Sequence, residues 1–94
     1  MIWEAIESGG AKGRMKRGIA SDGRTMRVLE MSPSWNEDDW CNKEHAGYVV
    51  SGRIRLDFKG QESIEASKGQ GFLIPSGCAH KATCTKTTRL FLVG

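Results

Sequence analysis

Short runs that alternate apolar and polar residues, each closed within a few positions by glycine or proline, constrain this chain more than any other feature. The clearest is Arg53 to Lys59, where Ile54, Leu56 and Phe58 point one way and Arg53, Arg55 and Asp57 the other. A period of two marks a strand with one buried face. Met1 to Glu7 alternates in the same manner and is broken by Gly9-Gly10. Arg24 to Met31 carries Met26 and Val28 on one side and Leu29 and Met31 on the other, so both faces are expected to be partly covered, until Ser32-Pro33-Ser34 ends the run. Gly47 to Ser51 is a further extended stretch. Lys59-Gly60-Gln61 reads as a turn into Glu62 to Ser67, with Ile64 and Ala66 inward. Phe72 to Ile74 is stopped by Pro75, and Ala79 to Thr85 and Thr88 to Val93 complete the chain. No apolar stripe of helical period is long enough to matter. The pattern predicts an all-β fold, a small antiparallel sandwich or barrel.

The 94 residues suffice for one domain, expected to span residues 1–94, with a core small enough that a bound metal or a second copy would help to stabilise it. No apolar run reaches the length of a membrane span, and the acidic start Met1-Ile-Trp-Glu-Ala-Ile-Glu does not resemble a secretion signal. A cytoplasmic address is therefore expected, with Cys41, Cys78 and Cys84 as reduced thiols; three cysteines cannot all pair within one chain. The net charge is +3, and Lys12, Arg14, Lys16 and Arg17 form the one basic cluster. A nucleic-acid surface would need a broader basic stripe with aromatics among the charges, so the cluster is read as a solvated strand or loop. No nucleic acid and no membrane is expected as a partner.

Chemistry points to the chain's two histidines, His45 and His80. Imidazole is the commonest metal ligand near neutral pH, because one ring nitrogen carries a free lone pair. His80 ends the run Gly69-Gln-Gly-Phe-Leu-Ile-Pro75-Ser-Gly77-Cys-Ala-His80, and His45 opens His45-Ala-Gly-Tyr-Val-Val-Ser-Gly52. His80, Ala82 and Cys84 share strand parity and are expected to face the interior. Trp35, Trp40 and Tyr48 cluster near the first histidine, where Trp35 and Tyr48 can wall a small organic ligand; Trp40 has the parity opposite to Cys41 and is expected to cover a core or an interface instead.

The second run resembles the second motif of the cupin superfamily, G-x5-P-x-G-x2-H-x3-N. Gly69, Pro75, Gly77 and His80 fill its first four fixed positions and Cys84 stands at the fifth. Anchoring the family's first motif, G-x5-H-x-H-x3-4-E-x6-G, on Gly52 places His45 at the glutamate, Cys41 at the second histidine, Asp39 at the first and Pro33 at the leading glycine. The frame is kept while the ligand types change. The resemblance covers Asp39 to Cys84 and implies a jelly-roll barrel. It also implies a metal site of Asp39, Cys41, His45 and His80, with Cys84, Tyr48 and Trp35 beside a ligand pocket. Two imidazoles and a thiolate suit zinc, iron, nickel or copper better than magnesium or calcium. Asp39 would complete the coordination or orient another ligand.

Two functions follow from the resemblance. One is a cupin binding a divalent transition metal and a small molecule within its barrel; if it is an enzyme, the ion would act as a Lewis acid, with no separate general base evident. The other is a non-catalytic binding or sensor module whose site is degenerate and metal-free. A homodimer through the N-terminal strand is expected, with Ile2, Trp3 and Ile6 as contacts.

Overall fold

A computed structural model describes residues 2–94; Met1, the first residue of the expected N-terminal strand, lies outside the described residues. Nine strands form in chain order: β1 (Glu4–Ser8), β2 (Ala11–Ile19), β3 (Thr25–Met31), β4 (His45–Ser51), β5 (Arg53–Phe58), β6 (Ile64–Ser67), β7 (Gly71–Ile74), β8 (His80–Thr83) and β9 (Thr88–Val93). They build two antiparallel sheets, a six-stranded one in the order β1-β2-β3-β9-β4-β7 and a three-stranded one in the order β6-β5-β8. No helix among the described residues is long and apolar enough to cross a membrane.

Alternation decides which side chains meet between the sheets. β5 buries Ile54 and Leu56, β7 buries Phe72 and Ile74, and β8 buries His80 and Ala82. Met31, Val49 and Leu90 close the core from the large sheet. Each of the larger aliphatic side chains contributes about 1.5–3 kcal/mol when withdrawn from water. Ile64, expected inward, is exposed, because β6 is the edge of the small sheet and only Ala66 reaches beneath cover.

Gly52 carries the chain from one sheet to the other. Its φ is +84°, and an added Cβ would lie 2.4 Å from the Thr87 carbonyl oxygen, so only glycine turns this corner without strain. Thr88 braces the same corner: its buried hydroxyl accepts a hydrogen bond from the Arg53 N–H at 3.2 Å and lies 2.9 Å from the Arg53 carbonyl.

The basic cluster belongs to β2, a strand where the sequence left strand and loop both open. Arg14 pairs with Glu30 at 2.6 Å, and Arg17 reaches Glu4 on β1 through two hydrogen bonds of 3.0 Å. Trp3 lies under Arg14 and Lys16, 4.0 and 4.4 Å from its ring centre. Of the three residues expected to meet a second copy, Ile2 is exposed, Trp3 is half-buried by these cations, and Ile6 packs against the core rather than outward. Ile6 faces Gly13 across the hairpin, on the inner side of the sheet, which removes it from any outer contact.

Candidate metal centre

Three side chains converge at the end of the sandwich where β4 and β8 begin. The segment Ser34–Cys41 is irregular, yet its backbone is laced along β8. Cys84 N–H donates to the Trp35 carbonyl at 3.2 Å, Glu37 N–H to Ala82 at 3.3 Å, and Cys41 and His80 exchange both backbone bonds at 2.9 Å. An antiparallel pair that exchanges both bonds presents its two side chains on one face. Cys41 is thereby set beside His80. Residues 38–40 bulge from this ladder, so Asp38, Asp39 and Trp40 are exposed.

His80 is 4% exposed, and its Nδ1 lies 2.9 Å from the Cys78 carbonyl. A carbonyl only accepts, so the proton sits on Nδ1 and the Nε2 lone pair is left bare, the arrangement that presents an imidazole to a metal. The turn that delivers His80 is tied to the stretch that leads into β4: Gly77, with φ +81°, donates its N–H to the Asn42 carbonyl at 2.9 Å.

His45 comes from the opposite sheet, facing Ile74 across the β4–β7 ladder. Its Nε2 lies 3.8 Å from Cys41 Sγ, and its ring meets that of His80 edge-on, 5.4 Å between centres. Burial above all, then the positive charge of Arg27 and repulsion from His80, holds His45 down at about 4 instead of its ordinary 6.5. The Gly94 carbonyl opposes this shift, yet Nδ1 is buried and makes no hydrogen bond.

One ligand atom from each of Cys41, His45 and His80 lies within 4.8 Å of the others. Tetrahedral zinc with ordinary Zn–S and Zn–N bonds separates a sulfur from a nitrogen ligand by about 3.6 Å. The 3.8 Å between Cys41 and His45 therefore fits such an ion with a shift of tenths of an ångström. A soft thiolate with two imidazoles favours a transition metal over magnesium or calcium.

These residues open onto a cavity of about 80 Å³ between the sheets, walled largely by aliphatic and aromatic side chains, among them Met31, Trp35, Ile54, Leu56, Phe72 and Leu90. Glu37 is the one carboxylate in the wall. Its Oε1 accepts the Ala82 N–H at 2.8 Å. Glu37 and Cys41 also border a recess on the surface with Glu7, Asp38 and Asp39, so the cavity and the exterior share these two residues.

Three residues singled out in the sequence, Asp39, Tyr48 and Cys84, stand elsewhere than expected. Asp39 is outside the ligand group, because the bulge turns it into the surface recess. Tyr48 is 46% exposed: its neighbours His45, Gly47 and Val49 face inward, and an odd-to-even step turns Tyr48 to the outer face. Cys84 is buried but is not part of the cavity wall; its thiol donates to the Ser32 carbonyl at 3.4 Å, and burial pushes its pKa up. Trp40 lies outside the core, with the Lys81 ammonium 4.7 Å from its ring centre. Trp35 does wall the cavity, and Cys78 lies in the turn before β8. Glu37 was missed, since a carboxylate within the run Glu37-Asp38-Asp39 gives no sign of facing inward. All three cysteines are free thiols.

No curated protein sequence matches the chain. Solved structures similar to it include EutQ of Clostridium difficile, with a TM-score of 0.79 at 20% identity over 95% of this chain and 73% of that one. KdgF from Halomonas sp. is similar over 99% of this chain and 86% of its own, with a TM-score of 0.75 at 18% identity. Ectoine synthase from P. lautus is similar over 95% of this chain and 66% of its own, with a TM-score of 0.73 at 15% identity. At such identities the likeness is one of fold. The family model for the cupin domain matches residues 35–94, from Trp35 through both histidines to the end of β9. With that match covering well over half of its length, this chain belongs to the cupin family.

Proposed function

We propose that the protein holds one divalent transition ion, zinc, iron or nickel, between Cys41, His45 and His80 and binds a small organic molecule in the cavity beside it. The observation that carries this reading is the convergence of three ligand atoms from separate stretches of chain to within 4.8 Å. His80 supports it further, because the bond to Cys78 leaves Nε2 free to coordinate. Three protein ligands leave a fourth position for the bound molecule. When present, the ion supplies Lewis acidity at that position. The chain's own groups bind the ion, exclude water with the apolar wall, and offer one carboxylate, Glu37. A homodimer belongs to this reading: β1 leaves one edge of the large sheet unpaired, and Tyr48, Val50 and Leu73 carry apolar surface on its outer face.

The test is elemental analysis of protein purified without a metal-affinity tag and then reconstituted with zinc, iron or nickel. Wild type is expected to retain one equivalent after dialysis. Cys41→Ser, His45→Ala and His80→Ala are each expected to lose at least about a hundredfold in affinity, more than the loss of an outer partner costs. Asp39→Asn is expected to bind as wild type does. A wild-type protein that keeps no metal would leave a metal-free binding module in its place.

A further inference from the structure

Two polar groups of the cavity wall have capacity that the protein does not use. Trp35 is 5% exposed, and its Nε1–H is buried with no hydrogen-bond partner. A buried donor left unpaired is uncommon and calls for an acceptor. Glu37, two residues on, lines the same cavity. Its Oε1 is held by the Ala82 N–H, and among the described residues no protein group takes its other oxygen. Both residues belong to the stretch laced along β8, so a wall of backbone bonds fixes their positions. The rest of the lining, apart from the three proposed metal ligands, is apolar.

Size and charge narrow what can fill this space. The volume of about 80 Å³ is roughly half that of a cavity that accepts benzene, room for about three non-hydrogen atoms, and a slightly longer molecule can extend past Glu37 and Cys41 toward the surface recess they border. A divalent ion, a Cys41 thiolate and a Glu37 carboxylate sum to zero charge. An added carboxylate would bring an unbalanced charge into an apolar chamber, which is costly. Arg27, whose charge reaches His45, is not part of the lining and donates to the Gly94 carbonyl at 2.8 Å, so it gives an added carboxylate no direct partner.

We infer that the cavity recognises a short uncharged hydroxy-aldehyde or hydroxy-ketone, whose carbonyl oxygen accepts the Trp35 Nε1–H and whose hydroxyl donates to Glu37. The charge argument rests on the metal reading above; the donor and acceptor pair does not. Binding here is non-covalent and requires no redox partner.

The test follows the indole N–H resonances of zinc-reconstituted, nitrogen-15-labelled protein by NMR. Trp3, Trp35 and Trp40 give three such signals, and Trp35→Phe identifies the one that matters. Hydroxyacetone is expected to shift the Trp35 signal saturably in the millimolar range. Acetone, which lacks the donor, and acetate, which adds a charge, are each expected to bind at least about tenfold more weakly. Glu37→Gln is expected to weaken hydroxyacetone and to narrow its advantage over acetone. A Trp35 signal that does not move, or acetone and acetate binding as tightly as hydroxyacetone, overturns the inference. Zinc content is measured on the same sample. Stoichiometric zinc with a silent Trp35 signal sinks this inference alone. Absent zinc sinks the metal reading, and the indole response still decides whether the Trp35–Glu37 pair binds.

Discussion

His45 and His80 occupy one site in two different electrical settings. His80 has its proton placed by a carbonyl, whereas His45 has a buried, unpartnered Nδ1 and is held at about 4 by burial and by Arg27. This makes acid uptake by the unfolded chain the stronger. Unfolded, His45 takes its proton near its ordinary 6.5; folded, it does so only near 4. Between these values the unfolded state holds more protons, so stability falls with acidification and this group adds no further loss below about 4. For chelator-treated protein, the urea midpoint is expected to drop from pH 7 to pH 5, and His45→Gln is expected to flatten that slope. The ring is only half-buried, so the effect is modest. Equal slopes in both proteins would contradict the burial described. The grouping of Cys41, His45 and His80 was legible because a motif's spacing places side chains whatever their type: Cys41 and His45 keep their frame from Gly52. Asp39 kept the same frame and was misplaced, because spacing in sequence carries no record of a bulge.

Strands were legible in proportion to their one-sidedness. β5 and β9 follow the alternation closely, with Ile54, Leu56, Thr88 and Leu90 buried at every second position. β2 was obscured by its charges, since Lys12, Arg14 and Arg17 are exposed and solvated even where Arg14 pairs with Glu30 and Arg17 with Glu4. The Ser34–Cys41 stretch was less legible still, because its order comes from backbone bonds to β8, to which side-chain type is nearly indifferent. Close approach within an element gives a sharper expectation. On the inner face of β4, a Cβ at Gly47 would sit 2.2 Å from Phe72 Cζ. Gly47→Ala must displace that ring, at a cost of about 1–3 kcal/mol. Each kcal/mol lowers Tm by about 4–8 °C in a chain of this size. Thermal unfolding followed by circular dichroism measures it, and an unchanged Tm would mean that Phe72 does not lie against β4.

On the scale of the whole molecule, the outer face of the large sheet remains the least satisfied surface. Leu73 is 79% exposed, beside Tyr48 and Val50, and contiguous apolar surface of this kind marks an association site. Light scattering at micromolar concentrations is expected to give about twice the 10.3 kDa chain mass. A strict monomer across that range would remove the dimer from the proposed function. Fold class was readable from the sequence because both sheets are built from alternating runs. The exposed patch of Tyr48, Val50 and Leu73 was not, since alternation tells inside from outside and says nothing of what covers the outside.

At one end the chain passes between the two layers where Gly52 rounds the corner onto β5 and Thr88 clasps Arg53. At the other end His45 stands on one layer while His80 and Cys41 stand on its opposite number. The turn over 75–79 already crosses between the layers at this end, and an ion gripped by all three would add a second tie beside it. The layers would then part there only as far as both ties yield, and whatever loosens the ion widens the mouth of the chamber behind Glu37.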